Sequence, residues 1–211
     1  MNIDLQSLFE LLQQQIAEVD VAQWIVLIFG VSEVLLARAN NILLYPAGII
    51  SVTLSVYLLF DVGLYAESGL NLYYLVMSIY GWWHWSGKSR APARVGFSTG
   101  RERVTTAALV VVGWLGLYFL LSTFTPSTVP VWDAWISATA WAGMWLLARR
   151  KIENWVLLNI SNAFAIPLLF HKGLPLFGVL TIFLFIVGCI GYFDWVRKYK
   201  RKKEREPVKC T

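Results

Sequence analysis

Cysteine is nearly absent from this 211-residue chain, and polar sequence comes only in short pieces. The two cysteines, Cys189 inside an apolar segment and Cys210 near the C-terminus, are too few and too mismatched for a disulfide framework or a thiolate metal site. Charged residues make up only 15% of the total, and the longest polar stretch, residues 87–103, is no more than a loop. No separate soluble domain fits into it. Residues 1–20 are acidic and Gln-rich without a basic n-region, so no cleavable signal peptide is expected. No soluble module interleaves aromatic with basic residues, so the net charge of +5 requires no nucleic-acid partner.

Apolar sequence is what the chain has in abundance. Hydrophobic residues reach 57%, Trp alone occurs 11 times, and the mean hydropathy is +0.58. A bilayer core about 30 Å thick needs ~17 to 25 apolar residues per helix. Seven stretches qualify, at 22–39, 42–64, 68–86, 104–124, 131–149, 154–171 and 175–196. They are long, closely spaced and apolar nearly all round, which excludes the strands and surface helices of a soluble protein. Ahead of them, Leu5, Leu8, Phe9, Leu12 and Ile16 share one helical face, as in a short interfacial helix.

The basic residues orient these segments. Seventeen of the 18 Lys and Arg follow the first, third, fifth and seventh segments, and only Lys172 lies on the other side. By the positive-inside rule the N-terminus is expected outside and the C-terminus in the cytoplasm. The dense tail from Arg197 to Lys203 suits anionic headgroups.

The chain also resembles itself. Shifted by 110 positions, Ile50-Ser51 aligns with Ile160-Ser161, Leu58-Leu59-Phe60 with Leu168-Leu169-Phe170, and Gly63-Leu64 with Gly173-Leu174. Leu70, Gly81 and Trp85 meet Leu180, Gly191 and Trp195, giving ten identities over 36 positions. Apolar composition alone would give roughly three. The expected fold is therefore an all-α integral membrane protein of seven transmembrane helices arranged as 3+1+3 parallel repeats, after a short N-terminal amphipathic helix. It divides into an interfacial helix (1–20), a first repeat (21–86), a linker helix (104–124), a second repeat (131–196) and a basic tail (197–211).

Polar side chains at membrane depth mark candidate sites, because each is costly unless it meets a partner, a cavity or a ligand. Asn154, Asn159 and Asn162 lie on the sixth transmembrane segment, and Trp155, Asn159 and Asn162 follow at spacings of four and three on one face. Hydrogen bonds to neighbouring helices are the plain alternative. Tyr80, Trp82 and Trp85 end the third segment, where the Trp pair reads equally as an interfacial anchor or as two ring faces for a cationic ligand. His84 reads as a headgroup contact, since no second ligand stands at a zinc-like spacing. Glu33, deep in the first segment, is open to three readings: protonated, paired with Arg38, or facing a cavity with a part in proton coupling. Asp133 reads as a helix cap. A near-match to a phosphate loop fails because five residues, not four, separate Gly81 from Gly87-Lys88-Ser89, and a membrane helix precedes it. No metal, cofactor or catalytic constellation is indicated.

Leu64-Tyr65-Ala66, then Ile79-Tyr80-Gly81-Trp82 with Trp85, and Lys151 with Glu153-Asn154-Trp155 resemble, in order and position, the PnuC family of bacterial nicotinamide riboside transporters, whose fold is related to that of the SWEET sugar transporters. The resemblance spans nearly the whole membrane region. It implies a carrier in the bacterial inner membrane rather than an enzyme. Nicotinamide riboside would enter by facilitated diffusion and supply NAD synthesis through a separate cytoplasmic riboside kinase. A planar pyridinium cation, a carboxamide and a ribose suit Trp82, Trp85 and Trp155 as ring faces, and Asn159 and Asn162 as donor and acceptor. The absence of basic residues within the membrane argues against a phosphorylated substrate. A sugar or another vitamin on the same fold is the alternative, with an integral-membrane enzyme further off, and the sequence leaves homo-oligomerisation open.

Overall fold

The computed structural model describes residues 5–61, 63–87, 94–125 and 128–205. Lys88, Arg90, Pro126, Lys209 and Cys210 lie outside them, as do the side chains of Leu5 and Leu8. The described residues form eight helices: α1 (Leu5–Glu18), α2 (Val21–Ala39), α3 (Leu44–Asp61), α4 (Tyr65–Trp85), α5 (Gly100–Phe124), α6 (Pro130–Ala148), α7 (Asn154–His171) and α8 (Pro175–Arg205). Each predicted apolar segment becomes one helix, and the predicted N-terminal helix is α1. Two run longer than expected. Thr99 and Glu102 cap each other's backbone amides, so α5 starts four residues early. Lys and Arg are good helix formers, so α8 continues through the basic tail.

Four of these helices, α2, α3, α5 and α8, are long and apolar enough to cross a membrane by length and composition. The other three long ones, α4, α6 and α7, have 21, 19 and 18 residues, also enough for the bilayer core, but carry more polar and aromatic side chains. Contacts run from α2 to α3, α4, α6, α7, α8 and back to α2, closing a ring of six. Among the described residues the backbones of α2 and α4, and of α6 and α8, do not come close to each other. Apolar α5 packs outside the ring, chiefly on α6.

Many of the contacts come in pairs 110 residues apart. The Ser51 hydroxyl donates to the Val26 carbonyl at 2.9 Å, and Ser161 donates to Ile136 at 2.8 Å. Gly63 and Gly173 take positive φ, letting Leu64 and Leu174 donate back to Leu59 and Leu169 at 2.8 and 2.9 Å. Asn40 and Arg150 also occupy the left-handed region, at φ 59° and 56°, and close the same cap on Leu36 and Leu146. Asn tolerates this conformation, whereas Arg does so at a cost of about 1 kcal/mol or more.

Loops tie the two ends. Where the Lys and Arg gather, called the basic end below, residues 94–99 dock on the α6–α7 turn. Ile152 N donates to Gly96 O at 3.0 Å, Ser98 N donates to the Glu153 carboxylate at 2.9 Å, and Lys151 Nζ pairs with Glu102 at 2.9 Å. At the opposite end Gln15 of α1 binds the α7–α8 turn, donating to Gly173 O and accepting from Leu176 N. Lys172 pairs there with Asp133 at 2.7 Å. Asp133 lies in the first turn of α6, whose N-cap is Val129, so its observed role is this ion pair rather than the cap expected of it.

Candidate functional site

On the side of the ring formed by α2, α3 and α8, a cavity of about 430 Å³ is lined by residues of these helices, by Asn71 of α4 and by Val19 just before α2. Its wall is mostly Leu and Val, interrupted by Gln23, Ser51, Ser55 and Asn71. Among the described residues, no Lys, Arg, Asp or Glu lines it. These four polar residues escaped the sequence reading. Asn71, between Leu70 and Leu72 in an apolar helix, was detectable by the reasoning applied to the asparagines of α7. Gln23 also caps α2, accepting from Asp20 N at 3.2 Å.

The basic end of the ring is filled by aromatic rings. Trp85 and Trp195, 6% and 0% exposed, meet at 6.1 Å between ring centroids. Their indoles cross between the halves: Trp85 Nε1, on α4, donates to Ala148 O at the end of α6, and Trp195 Nε1, on α8, donates to Ala37 O at the end of α2, both at 3.1 Å. Each carries an edge-on ring from its own half, Tyr45 on Trp85 at 5.2 Å and Trp155 on Trp195 at 5.8 Å. Those rings fit because glycines face them. A Cβ on Gly191 would stand 2.8 Å from the Trp155 ring, and one on Gly81 would overlap the Tyr45 ring.

The expected site residues divide among several surroundings. Trp85 is buried, and its face is already covered by the Arg150 guanidinium, 3.8 Å from the ring centroid. Burial lowers the hold of Arg150 on its proton, though arginine stays charged. Trp82, three residues earlier, is 44% exposed, so the two indoles do not form one box. Tyr80 stacks on His84 at 5.8 Å. Trp155 is buried, with its indole N–H unpaired among the described residues. Asn159 donates to Cys189 Sγ at 3.3 Å and leaves a buried Oδ1 without a partner. Both face a groove of about 410 Å³ between α7 and α8. Asn162 sits half-buried less than one turn further along α7. Asn154 is buried and donates to Lys151 O, which fixes the α6–α7 turn. Glu33 does not pair with Arg38, which instead binds Asp194 of α8 at 2.8 Å. Its carboxylate lies against Gly48, and Oε1 is buried without a hydrogen bond among the described residues.

A ring of apolar helices with a largely apolar cavity bearing a few neutral polar groups, filled at one end by interlocked indoles, fits the class of multi-pass helical membrane transporters. The sequence profile described as nicotinamide mononucleotide transporter matches residues 20–197, and the chain belongs to that family. It is a transporter and not an enzyme. Among its relatives are the nicotinamide riboside transporters PnuC of Escherichia coli (strain K12) and of Shigella flexneri, each 24% identical over 197 residues and aligned across 81% of this chain and 82% of the relative. The crystal structure of the vitamin B3 transporter PnuC has a similar fold, with a TM-score of 0.68 and 24% identity, covering 95% of this chain and 93% of that one.

Proposed function

We propose that the protein carries nicotinamide riboside across the bacterial inner membrane by facilitated diffusion, supplying NAD synthesis through a cytoplasmic riboside kinase. The observation that carries this reading is the lining of the ring cavity. It offers amide and hydroxyl groups for a carboxamide and a ribose but no cation for a phosphate, which a mononucleotide would require. Relatives named for the riboside support the same choice. Labelled riboside should enter liposomes holding only this protein, downhill and without ATP, and show counterflow. Uptake of the mononucleotide in its place would overturn the assignment.

The architecture behind it is two parallel three-helix repeats, α2–α4 and α6–α8, joined by α5 as a linker crossing. The paired hydrogen bonds, caps and ring contacts 110 residues apart support that arrangement. Alternating access then consists of the two triplets rocking on each other. In this state the crossed indoles close the basic end and the cavity lies on the other side of them. The charge asymmetry places the basic end in the cytoplasm and the N-terminus outside. With Cys189 and Cys210 replaced by Ser, cysteines at Thr128 or Lys172 should react with an impermeant thiol reagent on intact cells, and one at Ser86 should not. The opposite pattern would reverse the protein in the membrane.

Trp85 and Trp155 are packed together with Trp195 in this closed arrangement, so they reach a ligand once the halves separate. Trp82, being exposed, serves as an interfacial anchor, and Tyr80 with His84 belongs to the same belt. Asn159 and Asn162 are the amides of α7 that offer donor and acceptor to the ligand. Asn162→Leu should weaken riboside binding roughly tenfold, since a ligand polar group loses its partner at ~1 to 3 kcal/mol. Wild-type affinity in a folded Asn162→Leu protein, measured by titration calorimetry, would remove Asn162 from the site.

A further inference from the structure

Glu33 and Gly48 have counterparts 110 residues on, Gly143 and Leu158. In the second half the large side chain comes from α7: a Cβ on Gly143 would stand 2.9 Å from Leu158 Cγ and Cδ2. In the first half it comes from α2, whose Glu33 carboxylate lies across Gly48 of α3, with Cδ and Oε1 2.6 Å from where a Cβ would be. The same close helix approach is therefore made twice, once with hydrocarbon and once with a carboxylate. The leucine version demonstrates that packing two helices in this register does not need the charge.

Among the described residues the charge has no answer. No Lys, Arg or His pairs with Glu33 among the described residues, and the nearest basic residue along α2, Arg38, is committed to Asp194. A further unanswered polar atom belongs to Tyr45, whose hydroxyl is buried without a hydrogen-bond partner among the described residues. Tyr45 and Tyr74 lie within electrostatic reach of the carboxylate. The group also sits on the path. Gly30, three residues before Glu33 on the same face of α2, and Ser51, three residues after Gly48 on α3, both line the ring cavity. Glu33 is thus one turn beyond the cavity wall, toward the crossed indoles. A carboxyl group held there is neutralised either by a proton or by a positive charge brought to it, and a cationic ligand on the path would supply the second.

We propose that Glu33 is the anionic subsite of the transport path, and that it selects ligands bearing a single delocalised positive charge. This deepens the riboside reading and rests on it: the pyridinium is the charge that Glu33 answers, while the neutral amides and hydroxyls hold the rest. The carboxylate then distinguishes the oxidised riboside from its uncharged dihydro form, which has the same outline.

The test compares purified wild type, Glu33→Gln, and a double variant, Glu33→Gly with Gly48→Leu, that gives the first half a glycine-leucine contact like that of the second. Binding of nicotinamide riboside and of dihydronicotinamide riboside is measured by calorimetry, with thermal unfolding as the check on the fold. Glu33→Gln should lose tenfold or more in affinity for the cation and change less than twofold for the neutral form. The double variant should unfold within a few degrees of wild type and lose the cation as well. Undiminished riboside affinity in folded Glu33→Gln, or equal losses for both ligands, would overturn the subsite. Riboside binding kept by Glu33→Gln alongside the loss of proton-driven uptake would overturn it in favour of coupling. A wild-type protein that binds neither form would defeat the riboside reading itself, whatever the variants do.

Discussion

Replacing Trp195 with alanine should lower the stability of the folded protein by roughly 3 to 5 kcal/mol, the range for removing a fully buried aromatic side chain. Trp195 is 0% exposed and touches both Trp85 and Trp155, so its loss leaves a cavity where α2, α4, α7 and α8 converge. The surrounding rings cannot collapse into it, because each is itself held by a helix on a different side of the ring. Trp195→Phe separates packing from hydrogen bonding. It keeps most of the ring volume but removes the indole donor from the Ala37 carbonyl, which still accepts from Asn40 N, at about 0.5 to 1.5 kcal/mol. Trp85→Phe should cost a similar amount through Ala148 O. Thermal unfolding in detergent would measure all three, and an alanine variant no less stable than the phenylalanine one would show that the indole is not a packing element.

The second large effect belongs to Gly191. A valine there would push branched carbons into the Trp155 ring, which a Cβ alone would already approach to 2.8 Å. Trp155 is 1% exposed and backed by Trp195, so shifting it away from residue 191 would break its ring contact with Trp195. Overpacking of this kind costs ~1 to 3 kcal/mol, and more where neighbours are rigid. Gly191→Val should therefore fail to give stable protein, while Gly191→Val with Trp155→Ala should recover part of the loss, since the ring that clashes is gone. Strict additivity of the two substitutions would separate Gly191 from Trp155 energetically.

The same pair marks how far the sequence could be read. Gly81 with Gly191, and Trp85 with Trp195, are identities that the 110-residue shift exposes. Tyr45 and Trp155, the rings those glycines accommodate, differ in residue type and so stayed hidden until the backbone brought them to equivalent places. Helices were legible because apolar length alone specifies them. The ring order was not, since it depends on which large side chain meets which glycine. The distance between Glu33 and Arg38 illustrates the limit from the other side. Five residues apart on a helix places them about 140° apart around the axis, so a pairing that looks close in sequence is poor in space. Arg38 turns to α8 instead. The cluster of α7 asparagines was legible as unusual, but its division of labour was not. Asn154 serves the turn through a backbone carbonyl, and only the tertiary fold determines that. The cavity residues Gln23 and Asn71 were missed for a plainer reason: each stands alone in its helix, without the spacing that drew notice to Asn159 and Asn162.

The exchange of indoles between the halves has a mechanical result. Trp85 reaches from the end of α4 to the end of α6, and Trp195 from the end of α8 to the end of α2, so two pins cross the same seam in opposite senses. Drawing the halves apart extracts both, and the rings that touch between them part at the same moment. Releasing one alone would tilt the seam against the other. In the rocking motion proposed above, the two pins would therefore let go together, and weakening either would loosen both.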